Sequence, residues 1–196
     1  MESENKQRCQ TALYEEEVLA RSKGFANSQG YGGMEEDNLN HNEDDSQDPK
    51  ALRILRQLHD KQLLIVNRNS RNGLILYKRY HAEFAGPGAA VGGPFDLDCQ
   101  RVLPVGALSL ISPVSAEDRR QAYLIRRQWI RLTLQITTDN PAPLQRAQRI
   151  LNQFDGFFDT ETIAKLPDEA FALLVGVLPN TITKVRNTAD RYSLGG

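Results

Sequence analysis

His81, Ala82 and Glu83 set an imidazole and a carboxylate two residues apart. That H-x-E spacing serves zinc chemistry when a P-C-x-x-C supplies the remaining ligands, and no such segment exists here. The cysteines, Cys9 and Cys99, belong to no C-x-x-C or Cys/His pattern, so neither a zinc site nor a disulfide framework is expected. Asp96 with Asp98 and Asp159 with Glu161 have the right types for acid–base work, but nothing around either pair marks a buried dyad. His59, beside Asp60, reads as a surface residue at a helix end. The stretch GPGAAVGGP places Gly86, Gly88, Gly92 and Gly93 after a strand-like run. A phosphate cradle needs a helix N-terminus directly after its glycines. Here Pro94, Phe95, Asp96, Leu97 and Asp98 follow, and the Walker lysine is missing. The expectation is a non-enzymatic protein without cofactor or metal, with this stretch as a flexible connection.

A different set of side chains lies near the other end of the chain, in FALLVGVLPNTITKVR. Ala170, Leu173 and Leu174 share one face of a short helix that opens at Pro167, with Asp168 and Glu169 in its first turn. Gly176 can take the left-handed conformation that stops it. Val177 and Leu178 make a turn, and Pro179 suits the first position of a second helix. That helix buries Ile182 and Val185 and leaves Asn180, Thr181, Thr183, Lys184, Arg186 and Asn187 outside. Two short helices around such a turn make a helix-turn-helix.

Residues 144–192 resemble the helix-turn-helix of bacterial transcription regulators. The family pattern runs small residue, three positions, Gly, apolar, a turn, then Thr, apolar, Ser/Thr, basic, apolar, basic. Ala172, Gly176, Val177, Thr181, Ile182, Thr183, Lys184, Val185 and Arg186 fill those places. The wider chain is similar in character to cyanobacterial regulatory proteins, without a motif that carries the likeness. The resemblance implies a sequence-specific DNA-binding regulator, acting as a dimer, with Pro179–Arg191 in the major groove. It implies base contacts by Asn180, Lys184 and Asn187, since Asn suits adenine and Lys reaches guanine acceptors. It implies phosphate contacts by Thr181, Thr183, Arg186 and Arg191. Leu178 departs from the pattern, because Ser or Thr there would cap the second helix.

The rest of the chain must position these residues. Residues 1–50 hold five Lys/Arg and twelve Asp/Glu, a net charge of −7, and residues 51–196 carry the remaining nineteen and thirteen, a net of +6. The overall charge of −1 is therefore a cancellation between an acidic tail and a basic remainder. Residues 1–48 read as a disordered acidic tail, with a short helix over Thr11–Lys23 that offers a docking segment for a protein partner. Residues 49–85 read as a helix and a β-hairpin. In the hairpin, LLIV and LILY flank NRNSRNG, and Asn72-Gly73 supplies the turn. Arg68 and Arg71 at its tip are either an ordinary solvated turn or a wing on a DNA backbone.

Residues 86–112 read as the connection and a short apolar run. Residues 113–196 read as a helical domain. Its longest helix opens at Ser115 and puts Ala122, Ile125, Trp129, Leu132 and Ile136 on one stripe. Arg119, Arg120, Arg126, Arg127 and Arg131 fall on the other side. Arg126 and Arg127 are candidates for DNA-backbone contacts on that face, and the apolar face either packs internally or pairs with a second copy. The expected fold is mainly α with a small β-hairpin: a C-terminal helical bundle containing the helix-turn-helix, behind a disordered acidic tail. With no signal sequence and no apolar run of about 18 residues, the expected location is cytoplasmic. A second reading stays open: an adaptor that binds another regulatory protein through its helical domain and acidic tail.

Overall fold

The computed structural model describes residues 48–193, and side chains as far as Thr188. The acidic segment before Asp48, with the helix expected over Thr11–Lys23, lies outside the described residues. Asp48 caps helix α1 (Pro49–His59), its side chain accepting from Lys50 N at 2.9 Å, and α1 buries Ile54 and Leu58. Six strands follow: β1 (Leu63–Val66), β2 (Asn72–Tyr77), β3 (Ala82–Ala85), β4 (Ala90–Gly92), β5 (Arg101–Gly106) and β6 (Leu110–Ile111). A short 3₁₀ turn over Gly93–Phe95 follows β4. Five helices follow within the described residues: α2 (Ala116–Asp139), α3 (Pro143–Asp155), α4 (Thr160–Ala164), α5 (Asp168–Val175) and α6 (Pro179–Ser193).

The strands form two three-stranded antiparallel sheets, ordered β4-β1-β6 and β3-β2-β5. This overturns the expected fold of helices with one small hairpin. LLIV and LILY do not pair with each other. LLIV lies between β4 and β6, with Leu64 opposite Val91 and Ile65 opposite Ile111. LILY lies between β3 and β5, with Ile75 opposite both Phe84 and Leu103. The segment NRNSR is a corner between two sheets. Asn67 Oδ1 accepts from Asn69 N at 3.0 Å, and the buried Asn72 donates to Asn67 O and Ser70 Oγ. The true hairpin is the next pair, β2–β3, closed where Lys78 N donates to His81 O at 2.8 Å.

Asn72-Gly73 misleads for a physical reason. Both residues lie inside β2, and a Cβ on Gly73 would sit 2.4 Å from the Phe84 ring. The glycine makes room for an aromatic ring, not for a turn. Gly86 does the same for Trp129, whose ring a Cβ there would meet at 2.3 Å. Residues 86–112, which read as a connection, carry three strands and a buried interior stretch from Gly88 to Gly93.

All six residues of β2 are buried, so both faces of the central sheet are covered. Leu74 and Leu76 face a core shared with Ile54, Leu58, Leu64 and Val66 from α1 and β1. Ile75 and Tyr77 face a second core with Phe84, Val105 and the C-terminal helices. Trp129 of α2 packs against both cores. Phe84 is the aromatic hub of the second core, edge-on to Trp129 at 5.2 Å and within 5.9 Å of Phe154 and Phe158 by ring centroids. Helices and sheets therefore share their interiors.

Candidate nucleic-acid interface

Helix α5 is eight residues long and buries Ala170, Phe171, Ala172, Leu174 and Val175. Gly176 ends it at φ 63 and ψ 51, the left-handed conformation. Nothing lies within 4 Å of where its Cβ would be, so backbone conformation and not crowding sets the glycine. Val177 N donates to Ala172 O at 3.0 Å, folding the chain back over the helix end. Arg146 of α3 donates to Gly176 O at 3.1 Å and fixes the turn from the side. Pro179 then opens α6, and Thr181 N donates to Leu178 O at 2.8 Å across its first turn. The Leu178 side chain caps nothing and stands 73% exposed.

The expected DNA-facing residues divide into three groups. Asn180, Lys184 and Asn187 are exposed, at spacings of four and three, opposite the buried Ile182 and Val185. They form one polar ridge along α6, with Thr181 half-buried beside it. Arg191 continues the spacing within the helix, and its side chain lies outside the described residues.

The second group is spoken for internally. Arg186 lies over the Phe171 ring at 5.1 Å from its centroid. It donates to Leu166 O at 2.9 Å and to Ile163 O at 3.4 Å. Its Nε lies 3.1 Å from Asp168 Oδ1, without a well-aimed hydrogen bond between them. A guanidinium engaged by two carbonyls, a carboxylate and a ring is a fastening of α6 to α5 and to the α4–α5 loop. These internal bonds compete with the phosphate contact expected of Arg186, which is half-buried. The Thr183 hydroxyl hydrogen-bonds Asp168 and Pro179 O, so it too serves the α5–α6 join. Asp168, expected only to suit the helix dipole, holds both residues.

The third group is the set of candidate backbone contacts. Arg126 is buried, only 7% exposed. Its guanidinium pairs with Glu83 of β3, lies 3.5 Å from Asp96 and donates to Ala90 O of β4 at 3.3 Å. Asp96 also accepts from Gly92 N at 2.7 Å and pairs with the buried Lys78 at 3.0 Å. Lys78 reaches Asp98 and Phe95 O as well. Burial alone would raise the Glu83 carboxyl; the Arg126 charge outweighs it and holds the group below the usual carboxylate range. Burial would lower the Lys78 ammonium; its bond to Asp98 and the Asp96 charge outweigh that and raise it. Arg126 is thus the centre of a buried ionic cluster that binds α2 to both sheets, and its expected backbone contact is corrected. Arg127, one residue on, is exposed. Arg68 and Arg71 are exposed at the corner between β1 and β2, not at a hairpin tip.

The cluster is not legible in the sequence because Lys78 and Glu83 of the β2–β3 hairpin, Asp96 after β4 and Arg126 of α2 meet only in the folded chain. Burial also pushes the Cys99 thiol up to about 11 and the Tyr77 phenol up to about 12, so neither group is poised for reaction near neutrality. No group of His, Cys, Asp and Glu among the described residues has metal-binding geometry. No described helix is long and apolar enough to cross a membrane. No protein-family model, curated protein or solved structure matches this chain.

Proposed function

We propose that the chain binds duplex DNA through α6 and acts as a cytoplasmic transcriptional regulator. The observation that carries this reading is the polar ridge of Asn180, Lys184 and Asn187 on the second of two helices joined at the left-handed Gly176. The ridge stands opposite the face that packs on α3 and α5. A helix seated in the major groove needs such an arrangement: a solvent-facing row of amide and ammonium groups on a helix held rigidly from behind. The two asparagines suit adenine edges, and Lys184 suits guanine acceptors. Two copies acting on paired half-sites belong to the proposal, because a single small module buries only about 600–1,000 Å² on DNA.

With Arg186 committed internally, few cations remain on this helix to meet phosphates. The reading therefore expects a shallow salt dependence, each neutralised phosphate contributing a slope of about −0.9 in log K against log salt. Selection from random duplexes with the full chain, followed by titration at several salt concentrations, tests it. Lys184→Ala should weaken the selected duplex more than random ones and relax preference at the guanine it reads. Asn180→Ala and Asn187→Ala should relax base preference while leaving random-duplex affinity in place. Absence of binding at low salt, or an unchanged affinity and preference in the triple variant, would overturn the reading.

A further inference from the structure

Helix α2 carries a second surface that the α6 reading does not use. Arg120, Leu124, Arg127, Arg131 and Leu134 follow one another at spacings of four, three, four and three, and all five are exposed. Leu124 is 41% and Leu134 58% exposed. The row runs about 21 Å along the helix at about 1.5 Å per residue. The buried α2 residues Ala122, Arg126 and Ile136 face away from it, into the sheets and the helical core. Arg126 is neutralised by Glu83 and Asp96, whereas Arg120, Arg127 and Arg131 meet no carboxylate among the described residues.

The charge pattern selects the occupant. Parallel pairing with a second copy would set each of the three arginines against itself. Antiparallel pairing centred on Arg127 would set Arg120 against Leu134, Leu124 against Arg131 and Arg127 against Arg127. Either register removes guanidinium groups from water without a partner, at high cost. A phosphate backbone would answer the arginines but not the two leucines, whose apolar surface gains only against apolar surface. The geometry points to an acidic helix of a partner protein lying along α2, with carboxylates opposite Arg120, Arg127 and Arg131 and apolar residues opposite Leu124 and Leu134. Arginine–carboxylate pairs then fix register, and the leucines add non-polar burial, Leu124 between Arg120 and Arg127 and Leu134 at the far end. This surface is independent of DNA binding by α6.

Two synthetic three-heptad peptides serve as probes: one with the seam Glu-Leu-Glu-Glu-Leu for parallel docking, one with the reverse order for antiparallel docking. Binding is read as the fluorescence anisotropy of the labelled peptide titrated with the full chain. One orientation should bind saturably, and Arg127→Glu with Arg131→Glu should weaken it at least tenfold. A peptide with Lys in place of Glu should bind that doubly reversed variant better than it binds the unaltered chain. Leu124→Ser with Leu134→Ser should weaken the acidic peptide several-fold, with far-UV circular dichroism unchanged. Failure of both orientations to bind would overturn the inference, as would binding that ignores the charge reversal. Loss of duplex binding in the Arg127→Glu, Arg131→Glu variant, with neither peptide bound, would also overturn it and assign the ridge to phosphate.

Discussion

Arg126 and Arg127 are neighbours with the same side chain and opposite circumstances. Arg126 sits among Glu83, Asp96 and Ala90 O, while Arg127 faces water. Removing one partner of a buried charge cluster leaves the others unpaired in a poorly solvating interior, which costs about 3–5 kcal/mol. Removing an exposed arginine changes stability by about 0.5 kcal/mol or less. Arg126→Ala should therefore lower the urea unfolding midpoint steeply, and Arg127→Ala should leave it nearly in place. Equal midpoints in the two variants would show that the cluster does not hold α2 to the sheets. Arg126→Lys should recover only part of the loss, because an ammonium cannot span Glu83, Asp96 and the β4 carbonyl from one planar fork.

At the scale of elements, the α5–α6 unit rests on two devices of different kinds. Gly176 supplies a backbone conformation, with open space where its Cβ would be. Gly176→Ala should therefore destabilise by about 1 kcal/mol through backbone strain alone. Asn tolerates the left-handed region better, so Gly176→Asn should cost less. Arg186 supplies tertiary fastening, and Arg186→Ala should cost about 2 kcal/mol, since its lost hydrogen bonds involve a charged donor. If α6 binds DNA, both variants should bind weakly only where they are partly unfolded, and normally at temperatures where circular dichroism shows full helix content. A duplex-affinity loss in fully folded Arg186→Ala would return Arg186 to the phosphate contacts from which its internal bonds withdraw it.

At the largest scale, the described residues are tied together by long-range pairs, and that governs what the sequence discloses. Helix boundaries are written locally: Ser115 accepts from Asp118 N at 3.0 Å, Pro179 opens α6, and Gly176 ends α5. The stripe of α2 is legible only in part, because 3.6-residue periodicity is local while burial is not: Ala122 and Ile136 are buried, but Leu132 is exposed and Arg126 is buried. Strand pairing is not local. LLIV and LILY have strand character, but whether they join each other or two different sheets depends on β3 to β6, at a distance along the chain. Gly73 and Gly86 are glycines because Phe84 and Trp129 lie on them, and a sequence shows the glycine without its ring. The α6 ridge was legible as exposed polar positions; the removal of Arg186 and Thr183 from it depends on Asp168, fifteen and more residues away.

The ionic cluster links α2, the β2–β3 hairpin and the turn after β4, so its titration should register in the stability of the whole fold. Glu83 lies below its ordinary value of 4.5 in the folded chain, so folding favours its charged form. Its contribution is present above the unfolded value and is lost as pH falls through the folded one. Lys78 lies above its ordinary 10.5, so its contribution is present below that value and is lost as pH rises through its folded one. Between these limits Glu83 and Lys78 are both charged, and their share of the stability should be flat across the neutral range. Below about pH 4.5 the urea midpoint should begin to fall, with other carboxylates adding to the decline. Glu83→Gln separates its share: the variant should be less stable at neutral pH, and its loss on acidification should be smaller than that of the unaltered chain. A constant gap between the two curves from neutral pH to pH 3 would remove Glu83 from the acid response. Because α2 spans both cores, loss of the cluster should lower one cooperative transition, with fluorescence of the single Trp129 and far-UV circular dichroism moving together.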